Sequence, residues 1–243
     1  MVQYQSNVSR SGAGVRDIDA GLRAYMGKVY MLMAVAMVLT AGVAFYVGNN
    51  AALLATLFTG WVRWVVMFAP LIFVFAFSAM VHRMSAATAQ LAFYAFAALM
   101  GLSIAWIFAV FNLGTIFQTF LATAVAFLGL SLYGYTTKSD LSGIGRFAVM
   151  ALIGLIVVSL INILLLQSPM MHIIISAVGV LIFAALTAYD TQAIKNEYLS
   201  MAHAGPEGQA WLEKGAIMGA LRLYLDFINM FMFLLQLIGM SED

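Results

Sequence analysis

Three ionisable side chains stand where a lipid-crossing segment should have none. The stretch 216–239, AIMGALRLYLDFINMFMFLLQLIG, is apolar enough to span a bilayer, yet it carries Arg222 and Asp226, and Asp190 closes the apolar run before it. A charged group at bilayer depth costs about 3 kcal/mol or more, so such residues usually face a protein interior and mark function. Two carboxylates on consecutive antiparallel helices can meet, and once together they repel, lose hydration and titrate as one coupled unit. Such a pair is a proton switch and a candidate site for a hard cation. A plainer reading stands beside it. Arg222 precedes Asp226 by one helical turn, so the two could neutralise each other as an i, i+4 pair, and Asp190 could cap or snorkel at a helix end. Spacing alone leaves both open.

The elements that must position these residues follow from composition. Of 243 residues 64% are hydrophobic and 9% charged, well above the apolar share of about 45–50% in soluble domains, so the chain reads as an all-α, polytopic membrane protein. Apolar runs of bilayer length predict seven spans at about 29–47, 64–81, 90–111, 116–135, 147–166, 170–190 and 216–239. A polar N-terminal tail, 1–27, lacks the apolar core of a cleaved signal peptide, and a short end, 240–243, follows the last span. Asn112-Leu113-Gly114 allows only a hairpin between the third and fourth spans, and Gln167-Ser168-Pro169 turns the fifth into the sixth. The longest connection, 191–214, reads as helix ends flanking a break at Gly205-Pro206.

Other chemistries find no support. A net charge of +1 with dispersed basic residues does not suggest nucleic acid as a partner. The absence of cysteine removes disulfides, thiolate metal sites and thiol nucleophiles. His82, His172 and His203 lie far apart, without metal-ligand spacing, and the 17 methionines read as packing between helices. No resident cofactor is expected.

The loop charges separate the two faces of the membrane. Arg10, Arg16, Arg23, Lys28, Arg83, Lys138, Arg146, Lys195 and Lys214 fall on one side and Arg63 on the other. By the excess of Lys and Arg in cytoplasmic loops, the N-terminus is expected in the cytoplasm and the C-terminus in the periplasm. That topology puts Asp226 about 18 Å below Lys214 along its helix, near mid-bilayer.

Two strings carry a resemblance. Ala188-Tyr189-Asp190-Thr191-Gln192 and Leu223-Tyr224-Leu225-Asp226-Phe227-Ile228-Asn229 resemble the signature of the Bax inhibitor family, the transmembrane Bax inhibitor motif proteins. The loop Gly134-Tyr135-Thr136-Thr137-Lys138 to Asp140-Leu141-Ser142 and the seven-span layout are similar too. The resemblance extends from about Arg23 to the end and is that of a bacterial inner-membrane member. It implies a seven-helix fold with the last helix enclosed by the other six, and a pH-gated calcium leak. In it Asp190 and Asp226 would form the dicarboxylate pore sensor, holding calcium transiently, and Arg83 would act as a latch to one of them. Arg222 departs from the family, where a small residue often stands four before the second aspartate; a fixed positive charge there would lower the carboxylate pKa values and repel calcium.

Two rival classes stand beside this reading. Tyr189-Asp190 resembles half of an intramembrane aspartyl protease, but Leu223-Tyr224-Leu225-Asp226 lacks the glycine-rich partner motif. Gly101-Leu102-Ser103 resembles the GxS of a rhomboid-type serine protease, yet His172, near the outer surface, is a poor base for Ser103. Such small residues more often pack helices, so an enzyme is not expected. The second rival is a non-conducting modulator of membrane quality control, acting through a membrane-bound protease.

Overall fold

The computed structural model describes residues 2–202 and 204–239. Among them the chain forms nine α-helices and no strand, and seven stretches are long and apolar enough to cross a membrane. Helix α1 (Val2–Gly48) holds the first span. A short α2 (Ala51–Leu57) is capped by Asn50, whose Oδ1 accepts from the Ala52 and Leu53 amides at 3.1 Å, and leads into α3 (Val62–Met80). The second span closes with a 3₁₀ turn, Val81–Arg83, and the third consists of α4 (Ala86–Ile104) and α5 (Ile107–Val110). Then come α6 (Leu113–Thr136), α7 (Ser142–Ile161), the π turn Asn162–Leu166, α8 (Pro169–Met201) and α9 (Gly205–Gly239).

Local chemistry sets the turns. Asn112 caps α6 by accepting from the Thr115 amide at 2.8 Å, which closes the predicted hairpin. Ser168 caps α8 with Pro169 in the first turn, a position where the missing N–H costs nothing. Asp140 accepts from the Ser142 amide at 2.9 Å before α7, and its bonds to Ser142 hold this exposed carboxyl below its ordinary value.

Three boundaries differ from those expected. The segment 2–27 is helical and continuous with the first span, and its Leu22, Tyr25 and Met26 are buried in the bundle rather than lying in a polar tail. The third span is interrupted between Ile104 and Ile107. Most consequentially, the sixth helix does not end at Asp190 but runs on to Met201, so the expected long connection shrinks to a short break before α9. A hydropathy run stops at the first charge, whereas a helix continues as long as its backbone bonds and one buried face continue. Thr191, Gln192 and Ile194 supply that buried face. His203 and residues 240–243 lie outside the described residues.

Helix α9 is the most buried span, with half of its apolar window inside the protein. It packs on α8 above all, and also on α1, α4 and α6. Small residues permit the close approach: Gly219 lies against Ile194, and Gly179 of α8 lies under the Phe233 ring. The fifth span, by contrast, is the least buried, and Phe147, Met150 and Ile153 on it are exposed. Such apolar side chains suit lipid, where water-facing residues would be polar.

Candidate functional site

Asp226 lies near the middle of α9 and is buried, only 4% exposed. Asp190 projects from α8 beside it, and the two carboxyls are close enough to interact. One oxygen of Asp226, Oδ2, is buried without a hydrogen-bond partner. Buried carboxyl oxygens are costly to leave unmatched; the hydroxyls of Tyr25 and Thr119 are likewise buried without a partner.

Arg222 does not close onto Asp226. Its guanidinium reaches Glu197 on α8, Nη1 to Oε2 at 3.7 Å, in the only salt bridge among the described residues. Its charge is still felt at both aspartates. Glu197 follows Asp190 by two helical turns and so shares its face; it was missed because the segment containing it reads as a helix end once α8 is stopped at Asp190. The heptad spacing of the two acids is the signal that could have found it. Arg83 ends the 3₁₀ turn, exposed, and pairs with neither aspartate. The same turn instead engages Lys214, whose Nζ donates to the His82 carbonyl at 3.2 Å.

The residues of the two strings that flank the aspartates fix the helices. Gln192 clamps the loop between α6 and α7: its Oε1 accepts from the Leu141 amide at 2.8 Å and its Nε2 donates to the Ser139 carbonyl at 2.8 Å. Lys195 donates to the Tyr135 carbonyl at the C-terminal end of α6, 2.7 Å away. A Cβ at Gly134 would collide with the Ala188 carbonyl, and one at Gly145 with the Tyr189 ring. Gly134 therefore lets α6 approach the α8 backbone at Ala188, and Gly145 lets α7 seat the Tyr189 ring, both just before Asp190. Thr191 joins Ser131, 3.0 Å, and Ser131 joins Tyr30, 2.6 Å, in a line of hydroxyls from α8 through α6 to α1.

On α9 Tyr224 is fully buried between the edges of Phe93 and Phe96. Its hydroxyl meets Thr40 Oγ1 at 2.6 Å, and Thr40 also donates toward the Ala36 and Ala97 carbonyls. Gly101 packs against the Thr40 backbone, which accounts for its small size without chemistry, and His172 is exposed. Two crevices open along α9 on either side of Asp226. One, about 380 Å³, includes Gly215, Met218 and Arg222; the other, about 360 Å³ and apolar, includes Ile228 and Phe231.

Comparison with known proteins places this architecture. YbhL, an inner membrane protein of Escherichia coli K12, is 43% identical over 221 residues, covering 90% of this chain and 93% of YbhL. An uncharacterized protein of Deinococcus radiodurans is 40% identical over 91% of this chain and 92% of its own length. The uncharacterized RP147 of Rickettsia prowazekii is 37% identical over the full length of both. The family model described as inhibitor of apoptosis-promoting Bax1 matches residues 22–243, and with seven bilayer-length helices the chain belongs to that family, the Bax inhibitor family, as a multi-pass membrane protein.

Proposed function

We propose that the protein is a pH-sensitive calcium leak of the inner membrane, with Asp190 and Asp226 as its gate, a transport rather than a catalytic role. The observation that carries this reading is the contact between the two carboxyls beside a buried, unmatched oxygen of Asp226. A hard cation and a proton compete for the same oxygens, so occupancy of one excludes the other. Calcium takes about six to eight oxygen ligands, and two carboxylates cannot supply them; water must complete the shell, which suits passage rather than storage. Nine basic residues fall in the segments on one side of the seven spans in the sequence, which favours a cytoplasmic location for that side.

The test is calcium uptake into proteoliposomes of purified protein between about pH 5 and 8, with Asp226→Asn protein and empty liposomes alongside. A leak gives protein-dependent uptake that changes across this window and loses that dependence in the variant. Uptake equal to empty liposomes at every pH refutes conduction and leaves a partner-dependent modulator.

A further inference from the structure

At the basic end of the bundle a crevice of about 380 Å³ opens between the 3₁₀ turn, the late turns of α8 and the early turns of α9. Its polar lining is His82, Glu197, Lys214 and Arg222, and Trp211 stands exposed beside them. Glu197 is engaged by Arg222 at 3.7 Å, and among the described residues Lys214 makes no ion pair; its Nζ donates to the His82 carbonyl. The crevice's own lining thus sets two cations against one acid. Arg222 has five N–H donors and a side chain 40% exposed, with a single long contact to Glu197, so it can serve a second acceptor. Val81, Gly215 and Met218 make the remaining wall apolar.

Depth favours a lipid. Trp211 opens the last span, where indole rings sit among headgroups, and Lys214 follows within one helical turn. Basic pockets between helices on the cytoplasmic side suit anionic headgroups. An anionic headgroup matches Lys214 while the lipid's first methylenes meet the apolar wall. We propose that this crevice binds the phosphate of an anionic phospholipid, with Lys214 on the phosphate oxygens at the level of Trp211 and the glycerol and first methylenes deeper, along Gly215 and Met218. The site does not depend on cation passage; it stands on lipid binding alone.

The experiment is thermal unfolding of the full chain in a neutral detergent, titrated with dihexanoyl-phosphatidylglycerol, dihexanoyl-phosphatidylcholine or inorganic phosphate at matched ionic strength. Phosphatidylglycerol should raise the midpoint saturably and the other two should not. Lys214→Gln should weaken the apparent affinity about fivefold, the worth of one basic residue near an anionic surface, and Lys214→Arg should retain it. Lys138→Gln, which removes an exposed charge at the same end, should leave it unchanged. Equal shifts with phosphatidylcholine or with phosphate alone overturn the proposal. So does equal weakening by Lys138→Gln, which would mean diffuse surface charge, or wild-type affinity in Lys214→Gln.

Discussion

Arg222 bridges to Glu197 at 3.7 Å and leaves the Asp226 carboxyl, one turn further along its own helix, to Asp190. The cation that could have silenced the acidic pair is held off by a third acid on the facing helix. Both partners are partly exposed, 40% and 22%, so the bridge is worth on the order of 1 kcal/mol or less and is easily exchanged.

Removing either partner should therefore move flux in opposite directions. Arg222→Ser takes a positive charge from the approach to the aspartates and should raise calcium flux severalfold. Glu197→Gln frees Arg222 to turn toward the aspartates and should lower it. The double variant should behave like Arg222→Ser, because Glu197 acts through the arginine. Proteoliposome flux of the three proteins checks this, and a double variant as slow as Glu197→Gln would show that Glu197 acts directly.

Asp190 and Asp226 should fail as a unit. Asp190→Asn and Asp226→Asn should each flatten the pH dependence of calcium permeability, and combining them should add little, since residues in one contact are strongly non-additive. Independent, additive effects on flux would separate the two carboxyls functionally.

Gln192→Ala removes both bonds to the loop between α6 and α7 and leaves the Leu141 amide without its acceptor. An unmatched buried group costs about 1–3 kcal/mol, so the variant should unfold at lower temperature in detergent. A Gln192→Glu variant keeps the acceptor for Leu141 but sets a second acceptor against the Ser139 carbonyl, so it should not recover the loss.

Thr40 should matter more than its hydroxyl partner. Tyr224→Phe removes one bond while Thr40 keeps its carbonyl partners, a loss of about 1 kcal/mol. Thr40→Val leaves the buried Tyr224 hydroxyl unmatched and should cost more. Ranking the two thermal midpoints decides it.

The charge asymmetry makes a topological prediction. A reporter fused after Asp243 should be active only when exported, and activity in the cytoplasm would mean that α9 does not cross fully.

How far the sequence reaches is visible residue by residue. The seven spans, the hairpin capped at Asn112 and the turn at Ser168-Pro169 follow from hydropathy and capping chemistry, which are local. Asp190 and Asp226 stand out because a charge within an apolar run is conspicuous to any scan. Glu197 does not stand out, since it lies beyond the point where hydropathy falls, among Lys195 and Asn196, and only the continuation of α8 returns it to the face of Asp190.

By itself, then, the sequence determined the membrane class, the number of spans and the two acids, because burial in lipid must be written into composition and every charge there is an exception. The partners were decided by the tertiary structure. Arg222 has Asp226 within reach along its own helix and Glu197 within reach across to α8, and local spacing cannot rank an intrahelical neighbour against one supplied by packing. The placement of Gly134 and Gly145 against Ala188 and Tyr189 sets how closely the helices approach, and with it which side chains meet. Arg83, which the family resemblance aligns with a latch, is exposed and pairs with neither aspartate, and the turn that carries it accepts from Lys214 at the His82 carbonyl.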